Sequence, residues 1–408
     1  NEISVVEQVP FNSTNKYMST KASDGILYVK GAPEVVSRLC GDDSYLEEVS
    51  KQQSRGRRAI SFASGQDIEH LEYDGSVFIE DPIRPDVPAA IKKCYEAGVD
   101  VVMMTGDNIK TAAEIARQAG FSRKLQGQPE KDVWAVEAKD FDKVAWGDPM
   151  CGYPNVIARC KPEDKLNILK KFKELGKGTA TEHVCAMTGD GVNDSPSLNH
   201  ADVGIAMGSG TSVAKEASDI VLLDDAFPSI VTGIKWGRSL YKNIQSFLVF
   251  QLIINVATCL VVVLSPILGV DMPFTVTQML WVNIVMDTLA ALCLASEPAD
   301  ENVLTEKPRK QNAFILTKPM YKTIIGMGIF VFGVLSLIVH DIAQGSIKFG
   351  LDLTELFAIF MMINWWNLFN IRVFGKNRSI FYNLKGSSKF LLGSLVIFIG
   401  TILIVQFG

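Results

Sequence analysis

Val184-Cys-Ala-Met-Thr-Gly-Asp-Gly-Val-Asn-Asp194 is the stretch on which the reading of the fold turns. An apolar run at 184–187 ends in a tight, glycine-bearing loop that holds two carboxylates, Asp190 and Asp194, and a short helix follows. Like charges crowded into one loop repel unless a cation offsets them, so the loop reads as a seat for a hydrated magnesium ion. Two earlier segments repeat the order strand, loop, helix. Residues 99–104 lead into Thr105-Gly106-Asp107 and a helix from about Asn108 that stops before Gly120. Residues 156–160 lead into a helix from Pro162 to about Leu175, with Gly176 as its stop. Further strands are expected at 203–207 and 220–223. Strands alternating with helices predict a parallel sheet, and such sheets bind ligands at the carboxyl ends of their strands.

The loops at those ends carry parts of one chemistry. Thr105 offers a hydroxyl, and the backbone N–H groups after it, to a phosphate oxygen. Lys165 opens its helix on the same edge and offers positive charge to a phosphoryl group. Phosphoryl transfer is mainly positioning and charge neutralisation, which magnesium, a lysine and N–H donors supply. The part not found is a nucleophile. Each piece has a plainer reading alone, since Thr-Gly-Asp is a common turn before a helix and a lone lysine is usually solvated. Their order at the ends of separate strands joins them.

Beyond about residue 240 the composition changes, and five apolar stretches are long enough to cross a bilayer, about 244–269, 273–296, 321–341, 353–372 and 388–408. Basic residues cluster in alternate connections. Lys235, Arg238 and Lys242 precede the first span; Lys307, Arg309, Lys310, Lys318 and Lys322 follow the second; Arg372, Lys376, Arg378, Lys385 and Lys389 follow the fourth. Residues 270–272 hold no basic residue, and the third connection holds only Lys348. This positive-inside pattern places the soluble half in the cytoplasm. The odd number of spans leads us to expect a sixth beyond Gly408. A first residue Asn1 and an end within an apolar run read as a piece of a longer protein.

Asp287 is the one charged residue of the second span, with Asn283 four residues earlier on the same face of an α-helix. A charge at the bilayer centre costs at least ~2.5–3.5 kcal/mol. Either the carboxyl is protonated and bonded to a neighbouring helix, or Asn283 and Asp287 supply the hard oxygens that calcium prefers. Gln251 and Asn255 form a second polar strip in the first span, as ligands or as interhelical glue. A net charge of −5 excludes the electrostatics of nucleic-acid binding. The seven cysteines, Cys40, Cys94, Cys151, Cys160, Cys185, Cys259 and Cys293, form no CxxC pair. They are expected to be reduced and buried, without disulfide or metal. Nothing in the sequence sets an oligomeric state.

The run from Met187 through Asp194-Ser-Pro-Ser-Leu198, continued by Ala201-Asp-Val-Gly-Ile-Ala-Met-Gly208, resembles the hinge region of P-type ATPases, pumps of the haloacid-dehalogenase superfamily. Thr105-Gly106-Asp107 is similar to the family's TGD, and Ala158-Arg159 through Pro162 to Lys165 to its ARxxPxxK segment. Asp81-Pro82-Ile83-Arg84-Pro85 resembles a DPPR hinge, and Lys30-Gly31-Ala32-Pro33-Glu34 a KGAPE motif. The resemblance covers essentially the whole chain. It implies a partial α+β nucleotide-binding domain at 1–78, a Rossmann-like, haloacid-dehalogenase-type α/β phosphorylation domain at 79–235, and an α-helical membrane domain at 236–408.

The resemblance also implies roles. Phe11, in Pro10-Phe11-Asn12-Ser13, would stack on the adenine of ATP. Lys16, Lys30, Arg58 and Arg159 would contact the nucleotide. Thr105, Gly106, Asp107 and Lys165 would hold an aspartyl-phosphate, with Asp190 on magnesium and Asn193 and Asp194 in support. Met279-Leu-Trp-Val-Asn283-Ile-Val-Met-Asp287-Thr288 looks like the sixth membrane helix of calcium pumps, whose Asn and Asp ligate calcium. The plasma-membrane type is the most similar. Because 247–269 holds no carboxylate, one calcium per cycle is expected. The DKTGT motif with the phosphorylated Asp, the TGE motif, and a proline-interrupted membrane helix that completes the ion site are not in this sequence. Three alternatives stay open. One is a pump for another cation such as manganese, and another a non-catalytic nucleotide-binding membrane protein. A phosphatase of the same superfamily, the third, is opposed by the five spans.

Overall fold

The computed structural model describes residues 4–12, 15–80, 82–122, 133–143, 153–174, 183–310, 313–345, 348–376 and 378–407. Ser13, Asp81, Cys151, Leu175, Gly176 and Gly408, named above, lie outside the described residues. The chain divides into two compact units, Asn1–Val231 with Thr305–Gln311, and Thr232–Leu304 with Asn312–Gly408.

The first unit opens with an antiparallel sheet in the order β1-β2-β3-β4-β5, formed by β1 (Val5–Val9), β2 (Tyr17–Ala22), β3 (Leu27–Gly31), β4 (Arg58–Gly65) and β5 (Leu71–Ile79). Helices α1 (Pro33–Cys40) and α2 (Leu46–Gln53) lie between β3 and β4 in the chain. Alternation along the strands separates two faces. Val29 pairs with Ala63, and both are buried in a core with Val36 of α1 and Leu71. Lys30 pairs with Phe62, and Arg58 has the same parity as Phe62, so both cations share the face opposite that core.

From α3 (Val87–Glu96) onward strands and helices alternate: β6 (Met103–Met104), α4 (Ile109–Gln118), β7 (Ala135–Glu137), β8 (Val156–Ala158), α5 (Pro162–Glu174), β9 (Ala186–Gly189), α6 (Ser195–His200), β10 (Val203–Met207), α7 (Ser212–Glu216) and β11 (Ile220–Leu222). All pairings here are parallel, with helices on both faces. Ile157 of β8 faces Phe141, Ile168 and Phe172, while Val156 and Ala158 face Ala112 and Ala116 of α4.

The strands are shorter than expected, for local reasons. Gly98 has φ +69° and closes α3. The N–H of Val99 bonds the Cys94 carbonyl at 2.8 Å and that of Gly98 bonds Tyr95 at 3.0 Å, a Schellman cap that takes Val99 out of the strand. Arg159, with φ 56°, ends β8 after Ala158. Cys185 turns its N–H to Asp202 Oδ2 at 2.8 Å, which delays β9 to Ala186. Among the described residues the expected single sheet is two three-stranded sheets, β6-β8-β7 and β11-β10-β9, with β6 and β9 each paired on one edge only.

The second unit holds the long helices. Helix α8 (Phe227–Leu264) starts well before the expected 244. The second expected span is composite: α9 (Val276–Leu280), a π-helical turn at Trp281–Met286, and α10 (Asp287–Ala295). Then come α11 (Lys318–Ala343), α12 (Leu353–Arg372) and α13 (Ser388–Phe407). Ile254, Met286, Leu335, Phe360 and Phe390 fill the core, while Ile267, Ile284, Leu337 and Leu392 stay exposed. Apolar residues inside and out suit a lipid surround. Among the described residues, four helices are long and apolar enough to span, containing α8, α9 with α10, α11 and α13. The fourth expected span forms a helix of 20 residues, α12, but Asn364, Asn367 and Asn370 lower its hydropathy.

The cysteine expectation needs correction. Six described cysteines are free, but only Cys94 and Cys293 are buried, and Cys259 is exposed. Cys259 lies on the apolar stretch of α8, where facing outward costs a small hydrophobe little.

One ion pair ties loops to helix ends in the second unit. Arg372 Nε donates to Glu297 Oε1 at 2.8 Å, with side chains 3% and 7% exposed. Arg372 also donates to Ser387 Oγ at 2.8 Å, and that hydroxyl donates to Glu297 Oε2 at 3.2 Å. Removing one partner of such a pair strands the other. Arg372→Met should cost about 3–5 kcal/mol of unfolding free energy in urea titration, and adding Glu297→Leu should restore most of it.

Candidate functional site

The phosphate-type loops of the first unit converge through backbone and side-chain bonds. Thr105 N–H donates to the Ile157 carbonyl and Cys160 N–H to the Thr105 carbonyl, both at 2.9 Å. The two loops, after β6 and after β8, are therefore one construction. Thr105 Oγ1 donates to Asp107 Oδ2 at 3.1 Å and accepts the Asp107 N–H at 3.1 Å. That N–H, expected to be open to a ligand, is folded back onto its own loop. Asn108 caps α4 by accepting the Thr111 N–H at 2.9 Å, and Gly106 lies between cap and strand.

The loop after β9 is held just as closely. Lys165 Nζ donates to Asp194 Oδ1 at 2.7 Å, with side chains 21% and 9% exposed. A Cβ on Gly189 would sit 2.5 Å from Asp194 Cβ, so only glycine lets that carboxylate in. Thr211 N–H bonds the Asp190 carbonyl at 2.8 Å, while the Asp190 and Asn193 side chains are exposed. No cluster of three or more His, Cys, Asp or Glu occurs among the described residues. The donor set still fits magnesium, which needs one or two carboxylates and completes its octahedron with waters and phosphate oxygens.

The cations expected at a nucleotide divide into three groups. Arg58 reaches the loop after β6, donating to Asp107 Oδ2 at 2.9 Å. Arg159 donates to Glu34 Oε1 at 2.5 Å, so Glu34 at the start of α1 joins the set; the reading of the sequence gave it no role of its own. Lys30 is exposed on the Arg58 face, and Phe11 is 60% exposed after β1. Lys16 is half-buried at φ 59°, and its carbonyl would lie 2.7 Å from a Cβ on Gly31. Lys16 and Arg159 are two of four described non-glycine residues in the left-handed region. Such backbone persists where its surroundings over-determine it, commonly at ligand clamps. Burial pushes the Cys160 thiol, beside Arg159, up to about 11, which keeps it neutral and unreactive near pH 7.

In the second unit Asp287 is 5% exposed. Gln251 Nε2 donates to its Oδ2 at 2.6 Å. Among the described residues, Asp287 Oδ1 and Gln251 Oε1 are buried acceptors without a partner, as is Thr258 Oγ1. Asn283 is exposed while Asp287 is buried. The residue bonded to the acid is Gln251, from the neighbouring helix α8. Asn255 is exposed as well. The polar strip on the first span was visible in the sequence; which of its members meets Asp287 was not.

The family model for haloacid dehalogenase-like hydrolases matches residues 6–202, and that for the C-terminus of cation transporting ATPases matches 271–408. The chain is 35% identical to plasma membrane calcium-transporting ATPase 1 of Mus musculus over 98% of this chain and 37% of that protein. It is 35% identical to plasma membrane calcium-transporting ATPase 3 of Homo sapiens over 99% and 38%. For plasma membrane calcium-transporting ATPase 4 of Bos taurus the figures are 34%, 98% and 37%. The chain spans little more than a third of these relatives.

The Lys165–Asp194 pair is the testable hub of the first unit. A double-mutant cycle with Lys165→Met and Asp194→Asn, followed by denaturant unfolding, should show a coupling of about 1–3 kcal/mol. A coupling near zero would mean the ion pair does not position the loop.

Proposed function

We propose, because this chain belongs to the cation-transporting P-type ATPases, that it is the hinge, magnesium and ion-site portion of a pump that moves calcium out of the cytoplasm across the plasma membrane at the expense of ATP. The observation that carries this reading is Asp287, a buried carboxylate among apolar helices whose neighbouring oxygens, Asp287 Oδ1 and Gln251 Oε1, have no partner. Two buried acceptors side by side are costly unless a donor or cation meets them. Hard oxygens suit calcium, with manganese the nearest competitor. Asn283 and Asn255, exposed on the same two helices, would add ligands when a further helix covers them. The proline-interrupted helix implied by the resemblance would do this.

On the cytoplasmic side Phe11, Lys16, Lys30, Arg58 and Arg159 would hold ATP. Thr105, Gly106, Asp107 and Lys165 would orient the transferred phosphoryl group, with Asn193 beside them. Magnesium, on Asp190 and Asp194, would neutralise phosphoryl charge. The accepting aspartate would come from a DKTGT segment of the whole protein. The single-edged pairing of β6 and β9 supports that reading, because both sheets keep an edge that a further strand can pair. Helix α8 runs unbroken from Phe227 past Gln251, a continuous element through which domain movement could alter access to Asp287.

In the whole protein Asp287→Ala should abolish calcium-dependent phosphorylation by ATP, read as acid-stable incorporation of radiolabelled phosphate. Undiminished calcium dependence would refute the ion site. With no carboxylate at 247–269, isotope flux into vesicles should give one calcium per ATP. Two would require a second site, and uptake of manganese in preference to calcium would reassign the cargo.

A further inference from the structure

The four cations assigned to the nucleotide differ in their surroundings. Among the described residues Lys16 and Lys30 enter no ion pair, while Arg58 and Arg159 each meet one carboxylate. For Arg58 that carboxylate is Asp107, a member of the phosphate-type loop itself. For Arg159 it is Glu34, which the reaction outlined above does not use.

Both members of the second pair are firmly placed. Arg159 donates its N–H to the Asp107 carbonyl at 2.9 Å, and the next N–H, of Cys160, goes to the Thr105 carbonyl at 2.9 Å. With φ at 56° as well, the backbone of Arg159 is set, and only its side chain is left to move. That side chain is tied through Nη2 to Glu34 Oε1 at 2.5 Å. Glu34 stands in the first turn of α1, where the helix dipole favours a negative charge. Two residues before it, Ala32 donates its N–H to the Lys16 carbonyl at 3.0 Å. The segment 30–34 thus carries Lys30 at one end and Glu34 at the other, and is bonded to Lys16 between them.

The side chains of Arg159 and Glu34 are 27% and 44% exposed, so a dissolved anion can reach the pair. An ion pair this exposed is weak. A phosphate oxyanion carries more charge than a carboxylate and takes a guanidinium in two parallel bonds. The exchange of partners therefore runs toward phosphate, but against the hold of Glu34.

We propose that Glu34 is an autoinhibitory residue of the nucleotide site: it holds Arg159 in the absence of ligand, and ATP must draw the arginine away in order to bind. The inference rests on the nucleotide role of Arg159 given above. A ligand without phosphate, such as adenosine, does not compete for Arg159 and feels no such opposition.

The test measures dissociation constants for ATP and adenosine by equilibrium dialysis, on the whole protein with magnesium in calcium-free buffer. Glu34→Gln keeps the shape of the side chain and removes its charge. It should tighten ATP binding at least about threefold, the size an exposed pair supports, and leave adenosine binding unchanged. Should that variant fail to fold, Glu34→Ala should give a change of the same sign. In an Arg159→Gln background, Glu34→Gln should have little further effect. Weaker ATP binding on loss of the Glu34 charge would make the acid a positioning residue for Arg159 and overturn the proposal. An equal gain for adenosine, or a gain that persists without Arg159, would overturn it too. Equal ATP affinity in wild type and variant would sink this proposal alone, whereas a wild-type protein that binds no ATP would sink the nucleotide reading with it.

Discussion

A buried polar group must find a partner, and the second unit is organised by where that demand is met and where it is not. Around Arg372 it is met in full: guanidinium, carboxylate and hydroxyl bond one another, with the Phe390 ring 5.1 Å from the guanidinium carbon. Around Asp287 it is left open, with two acceptor oxygens facing no donor. Closure at the first place holds loops to helix ends, so the second can stay incomplete without the helices rearranging to hide it.

The first unit solves the opposite problem, holding charge near solvent in fixed geometry. Lys165 takes one oxygen of Asp194, Arg58 takes one oxygen of Asp107, and Arg159 takes Glu34. Every cation in these pairs is matched to a carboxylate within 2.5–2.9 Å. The more exposed two, Arg58–Asp107 and Arg159–Glu34, contribute little to stability. Their consequence is positional: an anion of higher charge than a carboxylate can draw the cations away from their present partners. Asp190 and Phe11, both exposed, stand outside these pairs.

Much of this architecture was readable from residues 184–194 outward, because parallel strands and amphipathic helices announce themselves by period. The strand at 203–207 was found as expected, and so was the helix that opens at Pro162. Boundaries failed where hydrogen bonds not encoded by period intervened, as with the cap at Gly98 and the left-handed Arg159. That Asp287 is buried while Asn283 is exposed was not legible, because it depends on which neighbouring helices pack there. Gln251 was visible as a polar residue in a span, but only packing could show that it is the one bonded to Asp287.

The asparagines of α12 carry the burial argument to its end. Asn364 satisfies one atom by donating to the Phe360 carbonyl at 3.0 Å and leaves Oδ1 without a partner, and Asn367 satisfies neither. Leucine at either position would pack at no such cost and would raise the hydropathy of a helix that falls short of the other four. In a helix–helix interface, interhelical amide bonds are worth about 0.6–2 kcal/mol when they form. Here, among the described residues, they do not form. An unreturned cost of that size, repeated within one turn, lowers the apolarity of α12 without repaying it in bonds across to α11.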